Sequence, residues 1–438
     1  MSMFISRIGI KNFKGIQKAE FEFSDSVNLI IGNNGCGKTS VLEAVAVALG
    51  GFLAGIDGVN TVHFSNDEIM QIGNLTGDGS YNPKYITPIM VDVDITLNGK
   101  KFSFIRQKKS RQASRSTVEP RDICKEANMM AQTDNSVLPL ISFQGISRIA
   151  NQKRDKWNDP FTKGFSRTTG YIDCLDGAST EKMMTSWFRH MDYVAYKKGN
   201  KIAEFEIAKK AVSQFMSIML NKQGLTVDYE KRTDELVYSD GIEVLPLRLL
   251  SSGFRSMVGM VLDVAYRMAV LNPDLKERII SETPGVLLID EIDLHLHPKW
   301  QWLIIAALKS TFPKVQIIAS THSPIVIASC KQEKLFTIEL KDPFLDKEDE
   351  ILPNYTVKGW QVSDVLEKIM KTSDRSPDTE KQLERLNFLG QKKLKHNISK
   401  KEVVEYYQII DELRAILPEG DTIVDKVSLL SIKELLKD

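Results

Sequence analysis

Gly32-Asn33-Asn34-Gly35-Cys36-Gly37-Lys38-Thr39, near the start of the chain, has the spacing of a phosphate-binding loop. Its glycines let backbone N–H groups face phosphate oxygens, Lys38 reaches the β- and γ-phosphates, and Thr39 offers a hydroxyl to Mg2+. An apolar run at 27–31 precedes the loop, and residues 40–49 have the composition of a buried helix. Strand, loop and helix together predict an ATP site contacted by Asn33, Asn34, Gly35, Cys36, Gly37, Lys38, Thr39 and Ser40.

Composition excludes several classes of protein. The 438 residues are 42% hydrophobic and 26% charged, which is typical of a globular chain with two to three domains. The net charge of +1 gives no global positive field, so any DNA contact must come from local patches. The four cysteines lie too far apart for a CxxC pair, and the chain has neither a signal-like start nor an apolar run long enough to span a bilayer. We therefore expect a cytoplasmic protein with free thiols and no membrane association.

Hydrophobic periodicity divides the chain into segments. Residues 4–10, 19–23, 88–97 and 101–106 alternate as in antiparallel strands, whereas 139–143, 245–249, 286–289 and 315–319 are short apolar runs. Residues 106–121 are polar and basic, as in a loop, and 179–188, 202–219 and the chain after 346 have helical periodicity. The predicted segments are an ATPase lobe in two parts, 1–110 and 241–345, a mixed but mostly helical insertion at 111–240, and a helical extension at 346–438 that is a candidate docking region for a partner.

Two further motifs lie far downstream of the loop. Asp290 and Glu291 end an apolar run, where one carboxylate can hold the Mg2+ shell and the other can polarise the attacking water. His322 follows the next strand and is placed to sense a γ-phosphate. Ser251, Ser252 and Gly253 open a helix whose first-turn N–H groups form an anion site without a glycine loop of their own. We expect that second anion site to receive the phosphates of a partner subunit.

The order of these motifs resembles that of the ABC-type ATPases. In that superfamily a Walker A loop, a signature helix, a Walker B strand and a His loop form two ATP sites across a head-to-tail dimer. The opening Ile10-Lys11-Asn12-Phe13-Lys14-Gly15-Ile16 is similar to the SMC, RecF and OLD branch. The number of residues between Lys38 and Ser251 is larger than that between the P-loop and the signature in transporter domains. It is too small to include the coiled-coil arm of an SMC protein. The resemblance thus implies an α/β fold: a RecF-like or OLD-like P-loop ATPase head with an antiparallel N-terminal β-subdomain, a mostly helical insertion and a helical C-terminal tail.

A finer resemblance is to the bacterial AAA_15/AAA_21 group once labelled "ATP-binding protein involved in virulence". It is carried by 138–145, 170–188, 290–300 and Gly359-Trp360. Relatives in this group serve anti-phage systems such as Septu and certain retrons. The resemblance implies Gln144 as a Q-loop glutamine near Mg2+ and Asp293 as the D-loop acid that meets the partner subunit. It also implies a homodimer or higher oligomer and a separate effector, either an HNH-type nuclease or a reverse transcriptase.

Other sites are less well supported by the sequence. His295 and His297 lack a third metal ligand nearby, and alternation explains Asp92 and Asp94 as the polar face of a strand. The chain after residue 341 shows no strand-borne acidic cluster, so we expect no nuclease site in this chain. Cys36 is a small residue within the loop, with redox sensing as the alternative.

Three functional hypotheses remain open. The first is an ATPase that senses DNA and controls an effector in anti-phage defence, with DNA contacts in the basic stretches 106–121, 153–167 and 392–401. The second is a RecF-like ATPase of DNA repair and recombination. The third is a scaffold in which ATP only clamps an assembly without being hydrolysed.

Overall fold

The computed structural model describes residues 2–75, 81–149, 159–162, 165–177, 181–339, 350–352, 357–418 and 421. It divides into two compact units, Met1–Trp360 and Gln361–Asp438. The strands are β1 (Met3–Phe13), β2 (Ile16–Glu22), β3 (Val27–Ile31), β4 (Gln71–Leu75), β5 (Tyr81–Tyr85), β6 (Ile89–Leu97), β7 (Lys100–Lys108), β8 (Thr117–Glu119), β9 (Leu140–Gln144), β10 (Thr226–Glu230), β11 (Glu235–Ser239), β12 (Val244–Pro246), β13 (Gly285–Ile289), β14 (Val315–Thr321), β15 (Lys334–Glu339) and β16 (Glu350–Leu352).

The α-helices are α1 (Lys38–Leu53), α2 (Asp122–Gln132), α3 (Glu181–Lys198), α4 (Ala203–Leu220), α5 (Ser252–Leu271), α6 (Ile279–Glu282), α7 (Pro298–Gln301), α8 (Ile304–Thr311), α9 (Pro324–Ala328), α10 (Val362–Lys368), α11 (Pro377–Leu394) and α12 (Lys400–Ile416). The last three belong to the second unit.

A six-stranded sheet in the order β16-β15-β3-β14-β13-β9 forms the centre of the first unit. Its strands run parallel except β16, which pairs antiparallel with β15 at one edge. Every residue of β3, β13 and β14 is buried, as expected for parallel strands covered on both faces. The apolar runs of the sequence are therefore central strands, and their carboxyl ends meet at one edge of the sheet.

A five-stranded antiparallel sheet in the order β2-β1-β6-β7-β8 forms the N-terminal β-subdomain. In β6 buried and half-buried residues alternate without a break, so one face packs on the core. The turn between β6 and β7 places Asn98 and Gly99 at φ 51° and 79°, which suits the twist of a tight hairpin. The α/β class and the antiparallel N-terminal subdomain predicted above are confirmed.

Helix α1 contacts both sheets and is almost entirely buried. Val41, Val45 and Phe52 have no exposed surface, and each contributes about 1.5–3 kcal/mol to the free energy of unfolding. This burial fixes the position of the helix that follows the phosphate loop.

Three segment predictions differ from the structure. Strand β9 lies within the predicted insertion 111–240 but is a strand of the central sheet beside β13, because its apolar residues pair in register from Leu140 to Gln144. Residues 244–246 form β12 of a separate antiparallel sheet with β10 and β11, instead of a strand of the parallel sheet. The helical extension begins at Gln361 and not at 346, since 350–352 still pair with β15.

The second unit is helical, as predicted for the C-terminal extension. Helix α12 begins with a capping box in which Ser399 and Glu402 exchange hydrogen bonds with each other's backbone N–H. Helices α11 and α12 bury a small core formed by Leu386, Leu389, Tyr406, Ile409, Ile410 and Leu413.

Candidate ATP site

The carboxyl edge of the central sheet gathers motifs that are far apart in the sequence. Strand β3 ends at the phosphate loop, β13 ends at Asp290, and β14 ends at Thr321. The pairing register aligns the ends of these strands, because Thr321 pairs with Ile31 and Ile289 pairs with Ala319. Ligand sites of open parallel sheets lie at this edge.

The phosphate loop ends on Gly37, whose φ of 96° is a left-handed conformation that a side chain would strain. Gly37 precedes α1 as its N-cap residue and has no side chain with which to cap the helix. The N–H groups of the first turn, at Lys38, Thr39 and Ser40, therefore lack a capping oxygen from that position. This arrangement suits an anionic group such as a phosphate.

Lys38 is buried, and its amine lies within the loop. Nζ donates to the carbonyl oxygens of Gly32 and Asn33, at 2.9 Å each. It also lies 3.3 Å from Nδ1 of His322. Burial lowers the pKa of Lys38, while the thiol of Cys36 and the carboxylate of Asp290 act to raise it. Among the described residues, the hydrogen bonds of Nζ to oxygen go to these two backbone carbonyls, and none goes to a carboxylate.

Asp290 lies at the centre of a hydrogen-bond cluster. Thr39 Oγ1 donates to Asp290 Oδ2 at 2.8 Å, and Ser320 Oγ donates to Asp290 Oδ1 at 2.5 Å. The same Ser320 oxygen accepts from the N–H of Glu291 at 2.8 Å. A hydroxyl and a carboxylate oxygen, adjacent to a phosphate-binding loop, are the hard oxygen donors that Mg2+ prefers. Thr39 and Asp290 therefore fit the Mg2+ that accompanies ATP.

Glu291 and His322 face each other across the site. His322 Nε2 lies 3.9 Å from Glu291 Oε1, and its other ring nitrogen faces Lys38. Glu291 has a φ of 47°, which is uncommon for a residue other than glycine. Next to it, Asp293 accepts a hydrogen bond from Thr321 Oγ1 at 2.5 Å in the same chain. The predicted residues Lys38, Thr39, Asp290, Glu291 and His322 are thus brought together.

Gln144 is placed differently from its prediction as a magnesium ligand. Its amide nitrogen donates to Asp263 Oδ2 at 2.7 Å and to Ser142 Oγ at 3.0 Å. Among the described residues, no hydrogen bond joins its side chain to Thr39 or Asp290. Asp263 is a buried residue of α5 that also pairs with Arg267, so the amide of Gln144 is held against α5. Burial acts to lower the pKa of Arg267, but Asp263 raises it above the usual value.

The signature segment, defined as Ser251, Ser252 and Gly253, lies at the start of α5. Ser251 precedes α5 as its N-cap residue, and its hydroxyl caps none of the described N–H groups of the helix. Gly253 is buried, and a Cβ there would approach the carbonyl oxygen of His295 to 2.2 Å. The first turn of α5 therefore rests directly on the loop that follows Asp293. In the described part of the chain no hydrogen bond connects the signature segment to Lys38 or Thr39.

Two residues that contact the site were not predicted from the sequence. Ser320 is the last strand residue before Thr321 and links Asp290 to Glu291. Arg148 donates to the carbonyl oxygens of Asp290 and Glu291 at 2.6 and 2.9 Å. Ser320 could have been predicted from its position just before the His loop. No sequence motif marks Arg148 as a residue of the site.

The structure also places the less favoured candidates. His297 accepts from the N–H of Lys299 at the start of α7, and the described residues contain no cluster of three or more metal-ligating side chains. Asp92 pairs with Arg7 across the sheet, as a residue of a polar strand face does. Cys36 is buried, with its sulfur 3.9 Å from Nζ of Lys38.

The basic stretch 106–121 is only partly available to DNA, which corrects its prediction as one patch. Arg106 is fully buried and donates to the carbonyl of Val62 at 2.8 Å, and Lys108 is buried against Asn66 at 2.8 Å. Arg111 and Arg115 remain exposed. Most of the stretch 153–167 lies outside the described residues.

Comparison with known proteins finds similar families and similar chains. The AAA_23 family model, described as an AAA domain, matches residues 7–237, and a second AAA domain model, AAA_21, matches 203–328. The chain is 28% identical over 422 residues to the "Retron Vc95 probable ATPase" of Vibrio cholerae serotype O1 biovar El Tor, covering 84% of this chain and 79% of that protein. It is 35% identical over 152 residues to the "Septu protein PtuA" of Bacillus thuringiensis, covering 33% of this chain and 37% of that protein.

A solved structure of an SMC head domain from Pyrococcus furiosus, with an extended coiled coil and bound to the C-terminal domain of ScpA, is also similar. It has a TM-score of 0.48 and 16% sequence identity, and the match covers 80% of this chain and 96% of that one. Within the described residues, no helix has both the length and the apolar character that a bilayer crossing needs.

Proposed function

Since the chain belongs to the AAA_23 family of AAA domains and is an ABC-type ATPase resembling those of defence systems, we propose that it hydrolyses ATP with Mg2+ at sites shared between two subunits. The observation that supports hydrolysis is the cluster at the sheet edge, in which Thr39, Ser320 and Asp290 are hydrogen-bonded beside Glu291 and His322. A P-loop alone would account only for nucleotide binding. The second carboxylate and the histidine supply groups that act on a water molecule.

Each residue has a distinct role in this proposal. Lys38 and the first-turn N–H groups of α1 bind the phosphates. Thr39 and Asp290 hold Mg2+, which neutralises phosphate charge when bound. Glu291 accepts the proton of the attacking water, and His322 orients the Glu291 carboxylate toward the γ-phosphate.

Phosphate release by the full chain tests hydrolysis. We expect Mg2+-dependent turnover in the wild type, none in Lys38→Ala, and ATP binding without turnover in Glu291→Gln. Lys314→Ala removes an exposed lysine paired with Glu282, so it is a matched control that should keep wild-type turnover. Tight ATP binding without turnover in the wild type would favour the nucleotide-clamped scaffold instead.

The two-subunit site is supported by the signature segment at the start of α5, which among the described residues forms no hydrogen bond with Lys38 or Thr39 of its own chain. Lys38→Ala and Ser251→Arg should each be inactive alone. A mixed dimer of the two variants contains one site with an intact P-loop and an intact signature, so mixing should restore part of the turnover. Failure to recover activity in mixtures that do form dimers would reject the shared site.

Control of an effector in anti-phage defence is the second part of the proposal. It is supported by the names of the relatives, which include a retron ATPase and a Septu protein. In the second unit, Leu394 and Val404 are largely exposed apolar side chains, of the kind that a partner protein covers on docking. Co-purification with a nuclease or reverse transcriptase encoded beside this chain, lost in Leu394→Glu, would support docking there.

DNA sensing rests on the exposed part of the basic stretch. We expect Arg111→Ala with Arg115→Ala to weaken DNA binding and to reduce its salt dependence, by a slope of about 0.9 per lost phosphate contact. Fluorescence anisotropy at several salt concentrations measures both. A preference for gapped DNA with no effector requirement would favour the RecF-like alternative.

A further inference from the structure

Arg148 connects the turn after β13 to the signature helix. Its Nη1 donates to the carbonyl of Asp290 at 2.6 Å and to that of Gly145 at 3.0 Å, and its Nη2 donates to the carbonyl of Glu291 at 2.9 Å. Its Nε donates to Ser256 Oγ on α5 at 3.3 Å. Nη1 also donates to the carbonyl of Gln144 at 3.3 Å, so one planar guanidinium group bridges four backbone carbonyls and a side chain of another element.

The backbone of Glu291 needs support because its φ of 47° lies in a sparsely populated region. Ser320 accepts from its N–H at 2.8 Å, and Arg148 donates to its carbonyl. Both polar groups of this peptide backbone are thus held from outside the turn. The direction of the Glu291 carboxylate, which faces His322, depends on that backbone geometry.

The charge of Arg148 is suited to this place. Burial lowers the pKa of Arg148 to about 10, and the carboxylates of Asp290, Glu291 and Asp293 oppose that change. The group therefore stays cationic at neutral pH beside three acids. A lysine has fewer donors and no planar fork, so it cannot reach the carbonyl of Glu291 and Ser256 together.

We propose that Arg148 is a positioning residue for ATP hydrolysis, which holds Glu291 in its left-handed conformation and couples that conformation to the position of the signature helix α5. The inference rests on the proposed function, because it takes Glu291 as the base and the start of α5 as part of the partner's nucleotide site. When the partner's nucleotide moves α5, Ser256 carries the displacement to Arg148 and thence to the carbonyl of Glu291.

Turnover kinetics of the full chain provide the first test. Arg148→Met should lower kcat by roughly 10- to 100-fold, the effect of a catalytic group displaced by about 1 Å, while KM and the Kd for ATP stay within about twofold of wild type. Arg148→Lys should recover part of kcat. Arg167→Met is the matched control, since Arg167 also donates to carbonyls, those of Met130 and Ser136, away from the nucleotide residues. It should keep wild-type kcat, and unchanged kcat in Arg148→Met would overturn the proposal.

Coupling to α5 is tested with Ser256→Ala. If Ser256 acts through Arg148, the double variant with Arg148→Met should be no slower than Arg148→Met alone. Effects on kcat that multiply would show that the two residues act independently, and the coupling would be rejected.

Amide hydrogen exchange provides a measurement that does not need turnover. In the nucleotide-free chain, Arg148→Met should speed exchange in residues 290–294 and in the first turn of α5, but not in β14. If the wild type has no turnover but this pattern appears, the proposed hydrolysis fails while the role of Arg148 in holding the turn is supported. Unchanged exchange in both segments would overturn that role even in an active enzyme.

Discussion

Replacing Ser320 by alanine should impair both folding and turnover, because one buried hydroxyl holds both carboxylate residues of the site. Ser320 has no exposed surface; it donates to Asp290 at 2.5 Å and accepts from the N–H of Glu291 at 2.8 Å. The variant removes a hydrogen bond to a carboxylate, worth about 1.5–3 kcal/mol, and leaves an N–H without its acceptor, at about 1–3 kcal/mol. We expect a loss of about 3 kcal/mol in the free energy of unfolding.

The effect on catalysis follows from the same contacts. Without the hydroxyl, the carboxylate of Asp290 keeps its bond from Thr39 among the described residues, and Glu291 loses one of the three hydrogen bonds to its backbone, the others being from Arg148 and the N–H of Leu294. A displacement of about 1 Å in a catalytic group lowers turnover by up to roughly 100-fold. We therefore expect kcat of Ser320→Ala to fall at least tenfold, with ATP affinity reduced much less.

Steady-state phosphate release, an equilibrium ATP-binding titration and denaturant unfolding measure the three quantities. Ser116→Ala is the control, because Ser116 is a buried serine that accepts from the N–H of Phe64 at 2.9 Å and lies outside the site. It should lose stability but keep its kcat. Wild-type kcat in a folded Ser320→Ala variant would refute the reasoning that this hydroxyl positions Glu291.

Two further perturbations test packing and charge. Gly253→Ala places a Cβ 2.2 Å from the carbonyl oxygen of His295, so it should lower the free energy of unfolding by about 1–3 kcal/mol. It should also reduce ATP-induced dimerisation measured by light scattering, and unaltered dimerisation would contradict this expectation. Burial raises the pKa of Glu333, but hydrogen bonds from Lys309 and from backbone N–H groups outweigh burial and lower this pKa to about 2. The contribution of the Glu333 carboxylate to the free energy of unfolding is therefore present above pH ~4.5 and is lost as the pH falls toward 2. Glu333→Gln should therefore lower the free energy of unfolding by about 2 kcal/mol at pH 7, allowing for screening around the exposed Lys309, and by less than half of that at pH 3. A pH-independent difference in unfolding would exclude the charge as its cause.

Much of the fold was predictable because short, continuous apolar runs are typical of buried parallel strands. Residues 27–31, 286–289 and 315–319 were expected as strands and are β3, β13 and β14. Their order in the sheet could not be derived from periodicity, because register between distant strands depends on packing of both faces. For the same reason β9 was assigned to an insertion, although it completes the central sheet beside β13.

The site was predictable where chemistry requires a fixed spacing. Lys38 and Thr39 follow from the loop motif, and Asp290 and Glu291 follow from a strand end. Arg148 was not predictable, since its acceptors are backbone carbonyls, which leave no pattern in the sequence. Similarly, the burial of Arg106 against Val62 depends on how a distant loop covers β7.

We propose that ATP binding and ATP hydrolysis depend on different contacts. The residues that bind phosphate and Mg2+ are held at the edge of the central sheet, whereas the backbone of Glu291 is linked to α5. Lys38, Thr39 and Asp290 are held by the central sheet, whose register does not involve the signature helix. Arg148 binds the carbonyls of both Asp290 and Glu291, and it also binds Ser256 on α5. Glu291 differs from Asp290 in its left-handed backbone, which makes its conformation more dependent on that support. A movement of α5 would thus leave phosphate binding intact while it alters the direction of the Glu291 carboxylate. A dimer built on this arrangement would bind ATP in each subunit independently and would hydrolyse it only when the partner's nucleotide has set the position of α5.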